Sequence, residues 1–123
     1  MYQEIFNNVT SIKAVDGGFE LNDNRFILNS DGGDKMFKVS LGTGTAYLAV
    51  FYVDAQNEQD AVDRVVDFCE DNDYSGYYSE YSDLEDEADR EEVDVEQYIE
   101  ECGLTSAGNS SHYVDLQGVE EIR

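Results

Sequence analysis

Cations are what this sequence most lacks: seven Lys and Arg stand against 29 Asp and Glu in 123 residues, a formal net charge of −22. A surface so poor in Lys and Arg cannot displace counterions from a polyanion. That excludes DNA, RNA and anionic membranes as partners held by the protein's own charge. The complementary implication is a cationic partner, because a charge excess of this size repels itself in the compact state and calls for a use. Histidine occurs once, at His112, and cysteine twice, at Cys69 and Cys102. Residues so far apart show none of the short ligand spacings of a zinc site, and two cysteines make no disulfide framework. Each cysteine falls inside a candidate amphipathic helix, so the pair reads as two buried free thiols, with a single disulfide as the alternative. No apolar run approaches a membrane span, and the start MYQEIFNNVTSIK has no basic segment leading into an apolar one. The expected location is the cytoplasm.

Catalytic signatures are missing too. Gly42-x-Gly44 lacks the Gly-Lys-Ser/Thr that completes a phosphate loop, and no serine or cysteine has an evident base beside it. Carboxylates are too abundant for any pair to point to acid–base work. The sequence therefore predicts neither an enzyme nor a resident cofactor or metal.

What is present is enough apolar material for a core. Hydrophobic residues make up 41% of the chain, with nine Tyr and six Phe, too many for a disordered polyanion. A chain of this length folds as one domain, spanning residues 1–123. From 9 to 53, short β-branched and apolar runs alternate with Gly, Asn and Asp clusters, which reads as strands and turns. Val9 to Val15 alternates, Asp16-Gly17-Gly18 turns it into Phe19-Glu20-Leu21, and Asn22-Asp23-Asn24 turns it again into Arg25 to Leu28, predicting an antiparallel meander. Met36 to Leu41 and Thr45 to Val53 form a second pair joined at Gly42-Thr43-Gly44. Tyr47 to Val53 is apolar on both faces, which places it mid-sheet under helical cover.

Helix signals begin at Asn57, a good N-cap, with Glu58 and Asp60 where negative charge suits the dipole. Ala61, Val62, Val65, Val66 and Cys69 then form one apolar stripe. A second helix is predicted from Ser82, where Ser82 and Glu85 have capping-box spacing, to Gly103, placed for a left-handed C-terminal residue. Leu84, Ala88, Val95, Tyr98, Ile99 and Cys102 share one face of it, interrupted by Glu91, and a break near Asp89 is the alternative. After a Gly103–Ser111 loop, His112 to Ile122 alternates Tyr113, Asp115 and Gln117 against Val114 and Leu116, as a strand pair or a strand bulged at Gly118. The fold class is thus α+β: an antiparallel sheet of about five to six strands with two helices packed on it.

The charge is unevenly spread. Residues 70–101 hold 15 acidic side chains and one basic one, Arg90, a net of 14 of the chain's 22 negatives. On the helical reading Glu85, Asp86, Asp89, Glu92, Glu96 and Glu100 cover the face opposite the apolar one. Acids at i,i+4 on a helix rising ~1.5 Å per residue stand about 6 Å apart along the axis. Duplex DNA carries one charge per ~1.7 Å, so such a helix imitates a phosphate row in sign and coarsely in spacing. The plainer alternative is a solvated acidic face, but the near-absence of Lys at i,i+4 argues against it. Tyr74, Tyr77, Tyr78 and Tyr81 adjoin the acids. They either anchor the segment to the core or offer rigid contact area and ring faces for a partner's guanidinium groups.

A rival motif opens the segment. Asp71-x-Asp73-x-Ser75-Gly76 matches positions 1, 3, 5 and 6 of an EF-hand loop, with Ser79 at position 9. It fails at position 12, where Ser82 replaces the bidentate Glu, and Tyr78 takes the usual aliphatic place at position 8. The alternatives are a degenerate calcium loop and a helix-ending turn.

In size, lack of catalytic motifs and the acidic run Glu80 to Glu101, the chain resembles the small acidic inhibitors by which phages and mobile elements disable bacterial defence, the anti-CRISPR and anti-restriction proteins. The resemblance implies a DNA mimic that acts in the bacterial host cell and occupies the DNA-binding surface of a CRISPR effector or restriction nuclease. The candidate contact residues are Asp71, Asp73, Glu80, Asp83, Glu85, Asp86, Glu87, Asp89, Glu92 and Glu96, with Tyr77, Tyr78 and Tyr81 as anchors. The alternative function is an acidic binding or immunity module for another basic protein, or a calcium-binding module at 71–82.

Overall fold

A computed structural model describes residues 9–22, 24–29, 35–43, 47–107 and 111–122. The amino-terminal residues 1–8, the expected turn residue Asp23, the hairpin residues Gly44 to Ala46 and part of the Gly103–Ser111 loop lie outside the described residues. The fold is α+β. Its strands are β1 (Ile12–Val15), β2 (Gly18–Leu21), β3 (Arg25–Leu28), β4 (Lys35–Thr43), β5 (Tyr47–Ala55), β6 (Ser79–Glu80), β7 (Thr105–Ser106) and β8 (His112–Glu121). Its helices are α1 (Glu58–Asp71), α2 (Tyr81–Glu91) and α3 (Val95–Cys102), with a 3₁₀ turn at Ser75–Tyr77.

The expected meander forms as β1–β2–β3, antiparallel throughout. Gly17 sits at φ 86° in the first turn, where a side chain would be strained, and Asn24 takes a left-handed φ of 57° in the second. Beyond β3 the sheet departs from expectation. Among the described residues it has eight strands in the order β1-β2-β3-β5-β4-β8-β6, with β7 on β8, and it is mixed, because β5 pairs parallel with β3 from Arg25↔Val50 to Ile27↔Tyr52. β5 lies between two strands that are consecutive in sequence. Turn chemistry fixes where each strand ends but not which strand becomes its neighbour, so local signals suggested a plain antiparallel order.

The apolar strand is central, as predicted. β5 pairs with β4 over its full length, from Lys35↔Ala55 to Thr43↔Tyr47, and Ala49, Phe51, Val53 and Ala55 are buried toward the α1 side. Asn57 caps α1 by accepting from the Asp60 N–H at 2.8 Å. The predicted stripe Ala61, Val62, Val65, Val66 and Cys69 is fully buried, and Phe68 joins it. At the other end of α1 the Asn72 side chain accepts from the Asp16 N–H (3.0 Å) and donates to the Asp16 and Phe68 carbonyls (2.8 and 2.9 Å), tying the β1–β2 turn to the helix. The opposite sheet face buries Leu21 and Ile27 against Val9 and Tyr52 and leaves Phe19 and Leu48 exposed.

β8 is one strand. Its pairing with β4 shifts between Ser40↔Gly118 and Leu41↔Leu116, so Gln117 is the extra residue of a bulge beside Gly118. Among the described residues no helix is long and apolar enough to cross a membrane.

Candidate functional site

The acidic segment starts at the end of α1. Glu70 and Asp71 occupy its last turn, which holds no basic residue, although a helix C-terminus favours positive charge. His112, arriving on β8, sets Nδ1 2.9 Å from Glu70 Oε1 and Nε2 3.9 Å from Glu80 Oε1, and so stands between two carboxylates. Burial, and then Glu70, Asp71 and Asp63, push the Asp67 carboxyl above its ordinary value. The acid density is therefore felt by its neighbours.

The turn that follows is built as a helix stop. Asn72 is the C-cap and Asp73 takes the left-handed conformation at φ 59°, while Gly76, the residue aligned with the EF-hand glycine, has no positive φ. Asp71 and Asp73 are exposed. Among the described residues no group of three or more His, Cys, Asp or Glu could hold a metal ion. Ser82, at the loop's twelfth position, already belongs to the first turn of α2.

The tyrosines divide. Tyr74 and Tyr77 turn inward: the Tyr77 ring lies 5.8 Å from Phe26 and 5.9 Å from Phe51, and the Tyr74 ring 5.3 Å from Phe26. The Tyr74 hydroxyl donates to Glu20, and burial followed by that bond raises its pKa. These two anchor the segment to the core, and Tyr78 packs against it as well. Tyr78 packs edge-on against His112 at 4.9 Å and Tyr81 lies 6.1 Å from Tyr113, each half-buried.

The predicted helix 82–102 is two helices, which corrects the count from two to three among the described residues. α2 begins at Tyr81 with Glu80 as N-cap and no side-chain cap bond, so the Ser82/Glu85 capping box does not start it. It ends where Glu92 takes φ 58°, its N–H reaching the Ala88 and Asp89 carbonyls, with Val93 N–H on the Ala88 carbonyl at 3.1 Å. Asp94 then caps α3, which ends at Gly103 with φ 72°, as its position implied. Leu84, Ala88 and Ile99 are buried, Val95 and Tyr98 half-buried. Cys102 is exposed, contrary to the expectation of two core thiols; both cysteines are free, and only Cys69 is buried. Cys102 lines the same cleft as Tyr98, but it is the last residue of α3 and stays exposed.

Asp83, Glu85, Asp86, Asp89, Glu92, Glu96 and Glu80 are all exposed, and Glu87 is half-buried. The carboxylates lie on two short rods in place of a single row. The i,i+4 spacing of about 6 Å holds within each, for Glu85–Asp89 and for Glu96–Glu100. The rods converge near Tyr81, whose hydroxyl is pushed up by burial and then by Glu85 of α2 and Glu96 of α3. Ion pairs among the described residues join Lys35 to Glu121, Arg64 to Asp60, and His112 to Glu70 and Glu80. None of them involves a carboxylate of α2 or α3.

Sequence reasoning missed what the helix pair encloses. Along β8, Tyr113 and Asp115 point away from the core residue Val114, and they line a cleft of ≈ 390 Å³ with Tyr78, Leu84, Glu87 and Tyr98. The alternation of Tyr113 and Asp115 against Val114 was visible in the sequence. What was not visible is that β8 would pass beside α2 and α3.

No family model matches this sequence, and comparisons with curated proteins and with solved structures give no match.

Proposed function

We propose that this protein is an inhibitor that binds the basic nucleic-acid-binding surface of another protein as a polyanion mimic, the target class being a CRISPR effector or restriction nuclease of a bacterial cytoplasm. The observation that carries this reading is the exposed carboxylate surface of α2 and α3, with Arg90 as its one cation. An ordinary soluble helix intersperses Lys with its acids, because like charges at i,i+4 destabilise it. Here that cost is retained on two consecutive helices, and a cationic partner would relieve it. The mixed arrangement of two rods suits a groove that normally holds a bent or paired phosphate track, with charge governing the rate of encounter.

The test is displacement of a fluorescent DNA duplex from a purified CRISPR nuclease or restriction enzyme. Wild-type protein is expected to displace it and to inhibit cleavage, less so as salt rises. Neutralising Asp83, Glu85, Asp86 and Glu92 together (to Asn or Gln) removes four screened contacts of about 0.2–1 kcal/mol each, a loss of roughly fourfold to several-hundredfold in affinity. The variant must not fall below the wild-type denaturation midpoint, since removing like charges relieves repulsion. Undiminished displacement by it would sink the mapping, and a target bound without any competition from DNA would sink the mimicry.

A further inference from the structure

The cleft between α2, α3 and β8 has a chemistry different from that of the open acidic surface. Leu84, 2% exposed, closes its floor. Tyr78, Tyr98 and Tyr113 line it as aromatic walls, and it contains two carboxylates, Glu87 and Asp115, both half-buried. Each carboxylate has a polar neighbour. The Tyr98 hydroxyl lies beside Glu87 and Cys102, and burial, Cys102 and Glu87 together raise the Tyr98 pKa. Gln117 Nε2 donates to Asp115 Oδ1 at 2.7 Å. Gly42 leaves the space in which Asp115 sits: a Cβ on Gly42 would lie 2.5 Å from Asp115 Oδ2. Neither carboxylate takes part in an ion pair among the described residues.

Two partly desolvated carboxylates between tyrosine rings, with no ion pair to a cation among the described residues, describe a receptor for a positive charge. We propose that this cleft receives an arginine side chain of the basic partner. A guanidinium is planar, sheds water more readily than an ammonium, stacks on tyrosine and presents paired N–H donors to a carboxylate. Lysine, a compact and strongly hydrated charge, gains less from such walls. The open faces of α2 and α3 attract any polycation, whereas the cleft distinguishes arginine from lysine. The inference rests on the inhibitor reading only for the source of the arginine; the selectivity belongs to the cleft.

Titration of hexa-arginine and hexa-lysine peptides into the full chain at one salt concentration tests this. Wild-type protein is expected to bind hexa-arginine about tenfold more tightly than hexa-lysine, with shifts of the Tyr98 and Tyr113 ring resonances on binding. Glu87→Gln with Asp115→Asn should bring the two affinities together. Gly42→Ala should do the same through displacement of Asp115, and it guards against a folding defect in the double variant. The neutralised α2 variant should weaken both peptides and keep their ratio. Equal wild-type affinities, or a ratio untouched by the cleft variants, overturn the proposal. Free N-acetyl-arginine amide binding as tightly as the peptide overturns the partner as the source. Persisting selectivity alongside failed DNA displacement removes the inhibitor reading and leaves the cleft; the converse removes the cleft alone.

Discussion

Burial of Cys69 against the sheet pushes its thiol from an ordinary 9.0 up to about 12. The folded protein therefore holds this proton more tightly than the unfolded chain does. Its contribution to stability is complete below pH ~9 and drains away as pH rises toward ~12. Tyr74 and Tyr77, raised by burial from 10.0, add losses of the same sign at higher pH. In Cys69→Ala the alkaline fall in urea midpoint should start about one pH unit later than in wild type, with the tyrosines; an unchanged slope between pH ~9 and ~10 would falsify this. The same residues show where sequence reading stops at this scale. Cys69 lay on a recognisable apolar stripe in mid-helix, whereas Cys102, on the same spacing as Val95, Tyr98 and Ile99, is the last residue of its helix and is exposed. A tyrosine is apolar in body and polar at its tip. Nothing local could say that Tyr74, Tyr77 and Tyr78 would pack against the core while Tyr81 would meet Tyr113 instead.

At the level of elements, α1 was readable because cap, dipole and stripe agree, from Asn57 through Cys69. The α2–α3 break was readable only as the alternative near Asp89, and its place at Glu92 was not, because neither proline nor glycine marks it. Glu92 adopts the left-handed conformation at φ 58° despite its side chain, at a cost of roughly 1–2 kcal/mol for an L-residue. Glu92→Gly should therefore stabilise the protein, by about 0.5–1 kcal/mol once the entropy of glycine in the unfolded chain is allowed for. A urea midpoint that moves up with no change of slope would bear this out. A fall would mean that the Glu92 carboxylate does something for the fold that its backbone geometry does not reveal. The eight-strand mixed sheet was legible as strands and not as a sheet, since the pairing of β3 with β5 joins segments with a whole strand between them in sequence.

Across the whole molecule the net charge of −22 is an energetic load on the compact state. Sodium chloride should therefore raise the melting temperature between ~0.01 M and ~1 M, where the screening length contracts from about 30 Å to about 3 Å. Most of the gain should come before physiological ionic strength, and a melting temperature indifferent to salt would show that the carboxylates are too far apart to matter. The position of β5 has a different kind of consequence, one of timing. During synthesis β3 and β4, the two strands that flank β5, are both made before it, and the free edge of β3 has no partner until Ala55 has left the ribosome. Up to that moment the nascent chain exposes an unpaired strand edge that could recruit a neighbouring chain. A polysome producing this protein would carry that hazard on each short chain and lose it on each longer one.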